Sequence, residues 1–209
     1  MSAYFITGIG TGIGKTLVSA IITEALRGDY WKPIQAGNLD GTDCLTVQSL
    51  LTNDQSVVHP ESYLLKFAAS PHIAAPEEGL DISIDEIISD MPSTSNTLII
   101  EGAGGLLSPI NKTEFNIDII KRLNIPVIIV SRNYLGSINH SLMTAKVLKY
   151  HDIKVAGWIF NDEYLDYEND IVVWSGYPWI ASVRHIDTID KIGVHAQAMK
   201  IKDHLKMFI

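Results

Sequence analysis

The segment Phe5-Ile6-Thr7-Gly8-Ile9-Gly10-Thr11-Gly12-Ile13-Gly14-Lys15-Thr16 sets a run of alternating glycines directly before Gly-Lys-Thr. Glycines let the backbone curl so that successive N–H groups face one anion. A helix beginning at Lys15 adds partial positive charge at the same point. In such a phosphate loop Lys15 reaches the β- and γ-phosphates and the Thr16 hydroxyl faces Mg2+. Gly12, Ile13, Gly14 and Leu17 complete the candidate nucleotide contacts here. The usual spacing has a glycine where this chain has Ile9, so the loop is a variant.

Phosphoryl transfer needs Mg2+, and Mg2+ takes oxygen ligands. Glu101 ends the apolar run Leu98-Ile99-Ile100 and opens Glu-Gly-Ala-Gly-Gly, which adds Gly102, Ala103 and Gly104 to the candidate ATP contacts. Asp43 follows the second strand in the loop Leu39–Cys44. Lys32, in Trp-Lys-Pro-Ile-Gln-Ala-Gly, ends that strand, where a second cation suits an anionic intermediate. Singly, each of these side chains reads as an ordinary surface group; the phosphate loop gives them a common purpose. The histidines show no His-Glu-x-x-His spacing, and His140 reads as a packing or dimer-contact residue. Cys44, the single cysteine, reads as structural.

These residues need a sheet that brings strand ends to one edge. Apolar runs at Ala3–Thr7, Tyr30–Lys32, Thr97–Ile100, Pro126–Val130, Val155–Phe160 and Trp179–Val183 read as strands. Helical spacing covers Lys15–Leu26, closed by Gly28, and Asp43–Leu51, capped by Thr42. Ser83 and Glu86 form a capping box, and Asn116–Leu123, Ser137–Tyr150 and Lys191–Phe208 also read as helices. Residues 52–82, with Pro60, Pro71 and Pro76, read as irregular, too long for a plain connector and so either functional or a misread helix. Asn161–Asp170 reads as an acidic stretch. Alternating apolar strands and helices imply an α/β fold: a single open, mostly parallel sheet covered on both faces, within one P-loop NTPase-like domain over residues 1–209.

The balance of 24 acids against 16 lysines and arginines, net charge -8, argues against a basic grip on nucleic acid. A content of 46% hydrophobic against 19% charged residues supports a sizeable core and excludes a disordered chain. No apolar run approaches the roughly 18 residues of a membrane span, and the first ten residues lack a secretory signal. The expected location is the cytoplasm.

In order along the chain, the motifs resemble the dethiobiotin synthetase family of biotin biosynthesis. The phosphate loop Gly8–Thr16 is similar to the family's G-T-D-T-x-V-G-K-T, and Lys32–Gly37 to its K-P-x-x-x-G. Thr42-Asp43, Ser70-Pro71-His72, Glu101–Gly105 with Ser108-Pro109, Leu135–His140 and Gly157–Asp162 match further motifs, from residue 3 to about 183. The resemblance implies an ATP- and Mg2+-dependent ring closure. One amine of 7,8-diaminopelargonic acid takes up CO2, the carbamate attacks the γ-phosphate, and the second amine closes the ureido ring by expelling phosphate. It implies that Lys15 and Thr11 hold carbamate and γ-phosphate, and that Thr16, Asp43 and Glu101 hold Mg2+. Lys32 would steady the carbamate, Ala36 would face substrate, and Asn161, with Asp162 beside it, would read the base. It also implies a homodimer in which Gly136, Ser137, Ile138 and Asn139 of the neighbouring subunit bind the substrate carboxylate.

The chain departs from the family pattern at Gly10 and Gly12, where the family has acids, at Ala36, where it often has a hydroxyl residue, and at Val183-Arg184, where it often has isoleucine-proline. Two other classes compete. A partitioning-type ATPase carries a lysine early in the loop, where this chain has Thr11. A nucleotide-binding module without turnover would fit the loss of the two loop acids.

Overall fold

A computed structural model describes residues 2–37, 41–162, 164–186 and 188–209. Leu39 and Asp40 of the expected loop Leu39–Cys44, and Glu163 of the acidic stretch, lie outside the described residues. The chain runs β1 (Ala3–Gly8), α1 (Lys15–Leu26), β2 (Asp29–Trp31), β3 (Ile34–Ala36), α2 (Asp43–Leu50), β4 (Val58–His59), β5 (Tyr63–Leu65), α3 (Pro71–Glu77) and α4 (Ile84–Ser89). It continues through β6 (Leu98–Glu101), α5 (Asn116–Leu123), β7 (Val127–Arg132), α6 (Ser137–Tyr150), β8 (Val155–Asn161), α7 (Glu168–Ser175), β9 (Trp179–Val183) and α8 (Lys191–Leu205).

Seven strands form one sheet in the order β4-β2-β6-β1-β7-β8-β9, every adjacent pair parallel. The strand order reverses direction around β1, so the glycine loop after β1 opens at the carboxyl edge where such sheets bind ligands. Strand residues alternate between two buried clusters. Phe5, Trp31, Ile100, Ile129 and Phe160 face one layer with residues of α3 to α7. Ile6, Tyr30, Ile99, Ile128 and Ile159 face the other with residues of α1, α2 and α8. This period of two is the expected consequence of the pleat, and it explains why the central strands are apolar throughout.

Several elements differ from the sequence expectation. The second strand stops at Trp31, leaving Lys32 just beyond it. Residues 52–82 are not irregular throughout: β5 pairs with β3 in a separate two-stranded parallel sheet, β4 joins the main edge, and Pro71–Glu77 is a helix. Pro71 stands in the first turn of α3, where proline's missing N–H costs nothing. The acidic stretch ends in a helix, α7. The last helix ends at Leu205 rather than Phe208, and α2 at Leu50 rather than Leu51. Arg27, at φ 52, rather than Gly28 takes the left-handed cap of α1. Gly28 serves a different need, because a Cβ there would meet the Thr97 carbonyl. Among the described residues, no helix is long and apolar enough to cross a membrane.

Candidate active site

Strands β1, β2 and β6 are neighbours, and their carboxyl ends carry the site. Tyr30 pairs with Ile99 and Trp31 with Ile100, so Lys32 and Glu101 emerge side by side just beyond the paired segment. Lys32 Nζ donates to Glu101 Oε1 at 3.1 Å and also to Asp43 Oδ2. Thr16 Oγ1 donates to the same Glu101 oxygen at 3.1 Å, while Tyr30 donates to Glu101 Oε2 at 2.9 Å. Glu101 is 1% exposed, so these three donors, not water, set its environment.

Asp43 opens α2. Thr42 caps that helix by accepting from the Leu45 N–H at 3.2 Å, and Gln35 Oε1 accepts the Asp43 N–H at 3.1 Å. A carboxylate at a helix N-terminus is electrostatically favoured. Lys15 is buried and donates to the Gly10 carbonyl at 3.1 Å, across the glycine loop. Burial depresses the Lys15 pKa, against the opposing pull of Glu101. Burial also works to depress that of Lys32, but Glu101 and Asp43 outweigh it, and its pKa is raised. The Lys32 ammonium is therefore held charged between two carboxylates.

These groups share a cavity of about 650 Å³. Of the residues expected at the site, Thr11, Gly12, Gly14, Lys15, Thr16, Lys32, Ala36, Asp43, Glu101, Ala103 and Gly104 line it. Ile34, Gln35, Ser108 and the segment 68–71 line it too, and sequence reasoning had not placed them there. The lining thus sets the ionic groups among apolar Ile34, Ala36 and Ala103 and polar Gln35 and Ser108. The two glycine-rich loops approach closely: a Cβ at Gly105 would lie 3.4 Å from the Gly8 carbonyl.

A second recess of about 260 Å³ brings Gly12, Gly14 and Leu17 together with Asn161 and Asp162. Asn161 Nδ2 donates to the Ile13 carbonyl at 2.9 Å. Its amide lies against Gly14, where a Cβ would collide with it. The Ile13 side chain is buried in the core, so only its backbone serves the loop. Gly102 lines neither cavity; its N–H bonds Ile6 O at 3.0 Å and its Cα faces the Phe5 ring. Gly136, Ser137, Ile138 and Asn139 also line neither. Ser137 is buried with its hydroxyl 2.8 Å from the Tyr167 hydroxyl, whereas Gly136 and Asn139 are exposed.

Thr16, Asp43 and Glu101 present only hydroxyl and carboxylate oxygens. Mg2+ is held by such sets, commonly one or two carboxylates completed by substrate phosphates. The donor chemistry therefore fits a magnesium–nucleotide.

A family model described as an AAA domain matches residues 2–193. The ATP-dependent dethiobiotin synthetase BioD of Cytophaga hutchinsonii is 48% identical over 206 residues, covering 98% of both chains. The protein of the same name from Christiangramia forsetii is 42% identical over 204 residues, covering 97% of both. Among solved structures, the cell division ATPase MinD of Pyrococcus furiosus superposes with a TM-score of 0.61 at 16% identity, covering 100% of this chain and 95% of that one. A ParA family ATPase from Chlorobium tepidum gives 0.57 at 13%, covering 99% and 92%. The solved structures share the fold. The closer likeness, sustained along almost the whole chain, is to the synthetases: the chain belongs to the ATP-dependent dethiobiotin synthetase family.

Proposed function

We propose that this chain is an ATP-dependent cyclo-ligase, forming dethiobiotin from 7,8-diaminopelargonic acid, CO2 or bicarbonate, and ATP. It acts in the cytoplasm as one domain over residues 1–209. The observation that carries the reading is the cavity in which Lys15, Thr16, Lys32, Asp43 and Glu101 meet, beside a small apolar wall.

The loop Gly8–Thr16 binds the phosphates through its N–H groups and Lys15. Thr16, Asp43 and Glu101 would hold Mg2+, which would supply charge neutralisation on the transferring phosphates. Lys32 orients the carbamate oxygen toward the γ-phosphorus and balances the charge that builds as that oxygen attacks and ADP leaves. In the second half, the other amine attacks the carbamoyl carbon, phosphate departs, and the ring closes. Ile34, Ala36 and Ala103 enclose the hydrocarbon chain and exclude water from the mixed anhydride. Thr11 flanks the carbamate. Asn161 and Asp162 take the base side, with Gly102 supporting the loop rather than touching nucleotide. A homodimer completes the site: Gly136–Asn139 of one subunit offer a helix start to the substrate carboxylate of the other.

Phosphate release measured with ATP, diaminopelargonate and bicarbonate tests this reading. Release that requires the diamine supports the ligase. Release without it supports an ATPase of the partitioning type, and none at all supports a binding module.

A further inference from the structure

Glu101 uses its two oxygens differently. Oε1 faces the cavity and is shared by Thr16 and Lys32, both at 3.1 Å. Oε2 points back into the fold and accepts one bond from the Tyr30 hydroxyl, 2.9 Å away. Tyr30 is fully buried between the sheet and the layer of α1, α2 and α8. It lies in register with Ile99, two residues below Glu101 on the adjacent strand. Two residues of strand rise about 6.6 Å, the reach of a tyrosine side chain. Sheet register therefore delivers the hydroxyl to the inner carboxylate oxygen.

A carboxylate held at one oxygen only can rotate about its last torsion, which is broad and soft. The Tyr30 bond removes that freedom. No other hydrogen bond to Oε2 is present among the described residues. We infer that Tyr30 is a positioning residue of this site: it fixes the Glu101 carboxylate so that Oε1 is presented to the magnesium–nucleotide. The inference rests on the proposed metal role of Glu101.

The test is calorimetric titration of ADP into the full-length protein with and without Mg2+. In Tyr30→Phe the tightening of ADP binding by Mg2+ should shrink about tenfold, the usual cost of losing a hydrogen bond to a buried charge. ADP affinity without Mg2+ should stay within twofold and also reports that the variant is folded. Equal tightening by Mg2+ in both proteins would overturn the role of Tyr30 alone. If Mg2+ failed to tighten ADP in the wild type, the metal reading would fall, and the Tyr30 inference with it. Glu101→Gln supplies a second arm. Tyr30→Phe added to Glu101→Gln should cost nothing more, because both act through one carboxylate. Additive losses would show that Tyr30 acts on the fold and would overturn the proposal.

Discussion

Lys32 Nζ and Glu101 Oε1 lie 3.1 Å apart at the ends of adjacent parallel strands, and the same ammonium holds Asp43. One cation thus bridges both carboxylates proposed to hold Mg2+. The charge, more than the length of the chain that bears it, should matter. Lys32→Ala is expected to lower single-turnover rates by about 10²–10³, the usual cost of a preorganised charge. Lys32→Gln should be nearly as poor, and rates for both within a few-fold of wild type would remove Lys32 from the mechanism.

Gly14 tests the nucleotide side. Its φ of +87 lies in the left-handed region, and a Cβ there would collide with the Asn161 amide. Gly14→Ala should cost about 1–2 kcal/mol in backbone strain and displace Asn161. ADP affinity is expected to fall by more than tenfold in a titration, while Gly12→Ala, which meets nothing within 4 Å, should lose less.

Acid should weaken the fold through Glu24 on α1. Its buried carboxylate accepts the Thr52 N–H at 3.0 Å and Asn53 Nδ2 at 2.8 Å, and lies 2.8 Å from His195 Nδ1 on α8. Burial works to raise its pKa, but the bonds from Thr52, His195 and Asn53 outweigh it and hold it down to about 2. A carboxylate depressed in the folded state stabilises fully above its unfolded value of about 4.5. That stability is lost as pH falls toward 2. Urea unfolding across this range should show a shallower loss for Glu24→Gln than for wild type. Parallel curves would refute the assignment.

Asn116 secures the wall of the cavity. Its amide donates to the carbonyls of Ala103 and Gly105, the latter at 3.0 Å, and it is buried. Asn116→Leu would leave both carbonyls without that donor, at a cost of about 1–3 kcal/mol. The expected result is a lower urea midpoint together with a raised KM for the diamine. An unchanged KM would separate this loop from substrate binding.

Much of this was legible in the sequence, for local reasons. The glycine loop, Lys15 and Glu101 sit in short motifs whose conformation their own residues dictate, and the central strands are unbroken apolar runs. The Thr42 cap and the strand Trp179–Val183 were likewise read where they occur. Other elements depend on distant partners. β3 and β5 are three residues each and exist because they pair with one another. Pro76 inside α3 masks a seven-residue helix, and α7 leaves Val173 and Trp174 exposed, blurring its apolar face. In the sequence Tyr30 stands only as the first residue of the strand Tyr30–Lys32. The one available signal was its place two residues before Lys32, on the same strand face. Gly136–Asn139 had the right motif, but within one chain the fold sets them outside both cavities.

Among the described residues, the small sheet of β3 and β5 has no hydrogen-bonded strand neighbour in the main sheet. The ladder that aligns Lys32 with Glu101 ends at Trp31, before Ile34 and Ala36 begin the apolar wall. The molecule thereby separates two tolerances. The phosphate chemistry sits on a stiff central ladder, where a shift of one residue would reverse every side chain. The hydrocarbon wall hangs in part on an annex tied to those charges through Gln35, which accepts the Asp43 N–H, so Ile34 and Ala36 on either side should tolerate remodelling for a longer or shorter substrate where Gln35 should not.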